Sequence, residues 1–128
     1  MKDTINQATT YFADTYALIE IIKGNKDYKK YINTKLITTR YNLIELFYHC
    51  IHHHSKEIAL IYFRFYSQFE IPITEYSILT GMEFKLKYKS ERLSYVDCIG
   101  YALALELGIK FLTGDQKFKD KENVEFAK

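Results

Sequence analysis

Short β-type runs that alternate with helical segments of about a dozen residues constrain this chain more than anything else in it. Thr10–Ala13 is aromatic and β-branched and stops at Asp14, which predicts a strand. From Thr15 to Lys23 the apolar residues Ala17, Leu18, Ile21 and Ile22 recur at helical spacing, and Gly24-Asn25 supplies a stop. Lys26 to Ile32 is rich in lysine and tyrosine and predicts a short surface helix. Lys35–Thr38 reads as a second strand. Thr39 then caps a helix on which Leu43, Ile44, Phe47, Cys50 and Ile51 are expected to line one face. Ser55 caps the next helix, which carries Ile58, Ile61, Tyr62, Phe63, Phe65, Tyr66 and Phe69. It is apolar over more than one face, so it must lie between layers or against a partner.

Glu70–Ile73 is a weak strand or a connector, because Pro72 excludes a central place in a ladder. Thr74 to about Tyr88 is helical, and Ser94 caps a strong helix from Tyr95 to Leu107 that stops at Gly108. Val96, Ile99, Leu103 and Leu107 form its apolar stripe. Ile109–Thr113 predicts a strand, Gly114-Asp115 a loop, and Asn123–Phe126 a last, edge strand. Such alternation means βαβ units: a mostly parallel sheet with helices on both faces. The expectation is one α/β domain spanning residues 1–128.

Composition agrees and excludes other classes. With 128 residues, 48% of them hydrophobic and 16% aromatic, the chain has material for a sizeable core. A domain of this length buries roughly two-thirds of its unfolded surface. One proline and five glycines argue against a disordered or fibrous chain. No apolar run reaches ~18 residues, so no membrane span is expected. The first residues lack the apolar core of a secretory signal. Cys50 and Cys98 are too few for a disulfide framework, so reduced, packed thiols and a cytoplasmic location are expected. A formal net charge of +2 permits a polyanionic partner without requiring one.

Four acids stand where chemistry gathers in such a fold. Loops at the carboxyl ends of parallel strands converge, and Asp14 and Asp115 directly follow two predicted strands. Asp97 sits in the first turn of the helix capped by Ser94, and Glu45 interrupts the apolar segment Leu43-Ile44-Glu45-Leu46-Phe47. Singly, each has an ordinary explanation as a helix cap or a complement to the helix dipole. Together, four carboxylates in one cleft repel one another unless some protonate or a cation neutralises them. Hard ions with oxygen ligands, Mg²⁺ or Mn²⁺, answer that need, whereas zinc would want Cys or His at suitable spacing. No nucleophile with a placed base, phosphate-cradling glycine loop or paired-cysteine motif is present.

The segments FADTYALIEIIKGN (12–25), NLIELFY (42–48), LSYVDCIGYALALELG (93–108) and IKFLTGDQKF (109–118) resemble, in order, the four blocks of PIN-domain ribonucleases. More narrowly, they are similar to the small VapC-type toxins of toxin–antitoxin pairs. The resemblance covers almost the whole chain and implies a three-layer α/β/α fold with a central, mostly parallel sheet. Asp14, Glu45, Asp97 and Asp115 match the family's metal-binding acids. Thr113 matches its supporting hydroxyl, and Thr15 is expected to help beside Asp14. Asp120 matches a further acid only loosely, and Asp3 and Asp27 read as surface charges.

The resemblance further implies a Mg²⁺-dependent endoribonuclease, with Mn²⁺ as a substitute ion, leaving 5′-phosphate and 3′-hydroxyl ends. It implies RNA as substrate, a cognate antitoxin as partner and a homodimer. A PIN nuclease of RNA processing without an antitoxin, and a catalytically silent PIN-like interaction module, are the alternatives. Three lysine groups suit phosphate binding: Lys23, Lys26, Lys29 and Lys30; Lys85, Lys87, Lys89 and Arg92; and Lys117, Lys119 and Lys121. Tyr88 and Tyr95 are candidates for stacking on unpaired bases, against the commoner role of packing. His52-His53-His54 splay over roughly 200° of a helix and cannot grip one ion together. They read, with His49, as structural.

Overall fold

The computed structural model describes residues 9–128; Asp3 lies outside them. Strands β1 (Thr10–Ala13), β2 (Lys35–Ile37), β3 (Lys110–Thr113) and β4 (Val124–Phe126) form one sheet in the order β2-β1-β3-β4. All three pairings are parallel, so every return path must cross the sheet. Helices α1 (Thr15–Ile22), α2 (Arg40–His53), α3 (Lys56–Ser67), α4 (Glu75–Lys87) and α5 (Tyr95–Leu107) supply most of these returns. The expected α/β/α layering is what forms.

Alternation along the strands builds the two outer layers. Phe12 and Phe111 face one core with Cys98, Tyr101, Leu103 and Phe118 of the α4–α5 side. Their neighbours Ala13 and Leu112 face the other, with Leu18, Leu43, Leu46 and Ala59 of the α1–α2–α3 side. A period of two on a pleated strand gives this division directly. On the first face α4 and α5 pack closely at Gly81, where a Cβ would stand 2.9 Å from the Cys98 carbonyl oxygen. Cys50 and Cys98 are both buried free thiols.

Helix limits follow their caps. Asp14, Thr39, Ser55, Thr74 and Ser94 each accept a hydrogen bond from a backbone N–H in the first turn of the helix that follows. Gly108, in the left-handed region at φ 69°, ends α5. Pro72 lies in the connector between α3 and α4, which touches the sheet through a single bridge, Thr38 to Glu70.

Two expectations need correcting. Residues 26–32 are helical, as a 3₁₀ helix over Lys26–Tyr31, but they are not merely surface. Tyr28 and Tyr31 are buried, because their hydroxyls donate to the Ala127 carbonyl at 2.8 Å and to Glu125 at 2.6 Å. On α2, Leu43, Leu46 and Cys50 face the sheet, whereas Ile44 and Ile51 are 53% and 44% exposed. At 100° per residue these isoleucines belong to the next stripe, with Tyr48. Helix α3 likewise buries Ala59 and Tyr66 and leaves Ile58, Ile61 and Phe65 exposed.

Candidate functional site

Asp14 is the residue at which β1 becomes α1. It is 1% exposed and caps the helix by accepting from the Ala17 amide at 2.8 Å. Burial first, and the Asp97 charge next, push its carboxyl well above the usual carboxylate range. The hydroxyl of Thr113 opposes this by donating to it. The same Thr113 oxygen accepts from the Asp115 amide at 3.0 Å, so one buried hydroxyl at the end of β3 ties two of the acids together.

Between them stands Gly114. A Cβ there would lie 2.4 Å from the Ala127 carbonyl oxygen, the Tyr16 ring and the Tyr28 hydroxyl. Only a bare backbone passes, and the chain then turns so that Asp115 caps the 3₁₀ helix Gln116–Phe118 through the Lys117 amide at 3.0 Å. Asp97, half-buried in the first turn of α5, has its amide bonded to Ser94 Oγ at 3.0 Å. Burial and then the Glu45 charge push its carboxyl up to about 6. Asp115 adds to the rise, while Lys117 acts against it.

Glu45 is held from another direction. Thr15 Oγ1 donates to Glu45 Oε1 at 2.5 Å, and the same hydroxyl oxygen accepts from Asn42 Nδ2 at 3.1 Å. Asn42 in turn accepts from Thr39 Oγ1 at 2.6 Å. A relay of four polar side chains thus joins the starts of α1 and α2.

Asp97 feels the charges of Glu45 and Asp115, and Asp14 those of Asp97 and Asp115, so the fold brings the four acids into one neighbourhood where β1 and β3 end and α2 and α5 begin. Among the described residues no three His, Cys, Asp or Glu side chains stand close enough to hold a metal ion together, so an ion there would meet fewer protein groups at a time. An oxygen-only set of this kind fits Mg²⁺ or Mn²⁺, since Mg²⁺ keeps several waters and takes one or two carboxylates. Asp120 stands apart, lining a cavity of about 660 Å³ with Tyr88, Glu91 and Lys121.

The geometry can be set beside known proteins. A family model described as the PIN domain matches residues 11–124. The chain belongs to the PIN-domain family. No curated protein matches it, but solved structures share its fold. The Mycobacterium tuberculosis VapC20, a sarcin–ricin loop cleaving toxin, is 16% identical, with 92% of this chain and 99% of that one covered at a TM-score of 0.75. VapBC2 from Rickettsia felis, bound to a DNA fragment from its promoter, is 17% identical, with 94% and 100% covered and a TM-score of 0.72. A toxin–antitoxin complex from Klebsiella pneumoniae is 18% identical, with 90% and 95% covered and a TM-score of 0.71.

On this PIN domain the surroundings of the acids differ from one flank to another. Lys117 acts on Asp97. Lys85 donates to the Leu93 carbonyl and sits 4.7 Å from the centroid of the Tyr95 ring. Lys121 is ion-paired to Glu91 at 2.6 Å, and Lys23 pairs with Glu20 at 3.4 Å. Tyr88 packs against Phe84 and takes the Lys121 ammonium 4.4 Å from its centroid. His52, His53 and His54 are exposed at the end of α2, and His49 packs on His53 with ring centroids 4.3 Å apart. Burial and the neighbouring histidines hold the His49 imidazole below its ordinary value.

Sequence reasoning missed Asn42. It is fully buried, three residues before Glu45, and it is the only side chain in the relay that donates to one residue through one atom, to Thr15 from Nδ2, and accepts from another through a second, from Thr39 at Oδ1. Its signal was a polar residue at the third position after the Thr39 cap, just ahead of an apolar run.

Proposed function

We propose that this PIN domain is a metal-dependent endoribonuclease that hydrolyses RNA phosphodiester bonds and serves as the toxin of a toxin–antitoxin pair. The observation that carries the reading is the coupled rise of the Asp14 and Asp97 carboxyls, each lifted in part by other members of the acid set. Such a set is costly unless some of its members protonate or a dication meets it, and at neutral pH the dication is the answer that leaves the acids ionised. Asp14, Glu45, Asp97 and Asp115 would hold Mg²⁺ or Mn²⁺. The ion supplies a water of lowered pKa and neutralises charge on phosphate oxygens.

The chain's own groups do the remaining work. Thr113 orients Asp14, and Thr15, fixed by Asn42, orients Glu45. The Lys117 ammonium, beside the acids, attracts the phosphate backbone and offsets their negative charge. Toxin function is supported by the shared fold with structures of toxins and their antitoxin complexes. It is also supported by the exposed apolar side chains Ile44, Ile61 and Phe65, which suit a partner's apolar segment.

The test is cleavage of structured RNA by the purified chain with Mg²⁺, beside Asp14→Asn and Asp97→Asn. Wild type is expected to cut, and each variant to lose at least a hundredfold in rate. Equal cleavage by all three overturns the assignment of the site.

A further inference from the structure

An apolar groove of about 350 Å³ is lined by residues that include Tyr41, Ile73, Ile78, Met82, Tyr95 and Val96, the last next in sequence to Asp97. Two of these are tyrosines whose rings face solvent, Tyr41 being 46% and Tyr95 65% exposed. Each lies on a helix that also carries one of the acids. Tyr41 lies four residues before Glu45, which is one turn of α2 on the same face. Tyr95 starts the helix that carries Asp97, and the two-residue spacing sets their side chains about 200° apart around it. Since Glu45 and Asp97 act on each other's charge, the two helix starts that carry the acids also carry the two rings.

We propose that this groove is a stacking site for unpaired bases of the RNA, next to the phosphate being cut. The proposal rests on the nuclease reading for the nature of its ligand. Every base has a π-face, and exposed aromatic rings flanked by cations are how single strands are held without sequence readout. Here the cations are in place: the Lys85 ammonium sits 4.7 Å from the Tyr95 centroid, and Lys117 lies close enough to act on Asp97. The Lys85 ammonium covers one face of the Tyr95 ring, so a base stacks on the other face. The groove floor of Ile73, Ile78, Met82 and Val96 offers no hydrogen bond from its side chains, so it accepts any base by area alone. A second protein is the rival occupant of an apolar groove. The adjacent acids and lysines favour the polyanion, whose phosphates need the cations and whose scissile bond needs the acids.

The experiment uses the full chain and a single-stranded RNA oligonucleotide carrying 2-aminopurine, whose fluorescence is quenched on stacking. Binding is measured in metal-free buffer, where cleavage does not intrude. Tyr41→Leu and Tyr95→Leu keep apolar area and remove the π-face, whereas Tyr41→Phe and Tyr95→Phe keep both. Because the rings are exposed, all four variants are expected to fold, as circular dichroism checks. The wild type and the Phe variants are expected to quench the probe and bind alike. Each Leu variant is expected to lose the quenching and about tenfold in affinity.

Leu variants that bind and quench as wild type does overturn the proposal, as does a wild type that gives no quenching. A Leu variant that leaves RNA binding unchanged but alters sedimentation assigns the groove to a protein contact and equally overturns it. The nuclease reading fails separately: tyrosine-dependent quenching by a protein that never cuts RNA with Mg²⁺ supports the groove and removes the enzyme.

Discussion

Thr15, the first residue of α1, donates its hydroxyl hydrogen to the Glu45 carboxylate of α2 at 2.5 Å. That bond fixes an acid on the second crossover by a residue of the first, and Asn42 holds the donor in place. Thr15→Val removes the donor and Thr15→Ser keeps it. Groups that hydrogen-bond a metal-binding carboxylate typically carry 10–100-fold in affinity or activity. Thr15→Val is expected to lower kcat by about that factor and stability by about 1 kcal/mol. Thr15→Ser should restore most of the rate, which a merely structural role would not require. Steady-state kinetics with denaturant unfolding checks both.

Stability should depend on pH through Asp97. Its carboxyl stands at about 6 in the folded chain against an ordinary 3.8. Between these values the folded state binds the proton and the unfolded state does not. Linkage then gives Asp97 a stabilising contribution that is fully present below pH ~4 and lost as pH rises through about 6. The buried Asp14 acts in the same direction. Asp97→Asn is expected to raise metal-free stability at pH 7 by about 1–2 kcal/mol, the carboxylate being partly screened by solvent. Urea unfolding at pH 4 and pH 7 should show the variant gaining only at the higher pH. Added Mg²⁺ should stabilise the wild type at pH 7 more than the variant.

Gly114→Ala should damage the fold and the site together. The added Cβ would meet a backbone carbonyl and two tyrosines at 2.4 Å. The carbonyl cannot rotate away, so the loop that presents Asp115 must shift. A loss of about 1–3 kcal/mol is expected from overpacking, seen as a lowered Tm, with RNA cleavage falling further than stability alone explains.

The exposed face of α3 should separate partner binding from folding. Ile61→Lys and Phe65→Lys change residues 61% and 52% exposed. Stability should move by no more than about 0.5 kcal/mol. Binding of the antitoxin proposed as its partner, measured by calorimetry, should weaken at least tenfold.

Much of this was legible in the sequence, for reasons that particular residues make plain. Thr39, Ser55, Thr74 and Ser94 marked helix starts because each needs a side-chain oxygen to satisfy first-turn amides. Thr10–Ala13 marked a strand because it is short, aromatic and β-branched and stops at Asp14. Asp14 and Asp115 stood out because parallel topology leads strand ends to one rim. What failed did so where contacts come from distant residues. Tyr28 and Tyr31 looked like surface tyrosines among lysines, and only the arrival of Ala127 and Glu125 buries them. Ile44 and Ile51 looked like core because periodicity marks an apolar stripe without saying which stripe is covered. Asn42 passed unnoticed because its partner Thr15 lies across the fold.

The central claim is that Asp14, Glu45, Asp97 and Asp115 share a dication. Titration of Mn²⁺ into the metal-free chain, followed by the loss of the free-ion paramagnetic resonance signal, tests it without RNA or partner. Saturable binding by the wild type, weakened at least tenfold in both Asp14→Asn and Asp97→Asn, is the result expected. Binding that is absent from the wild type, or that survives unchanged in both variants, contradicts it.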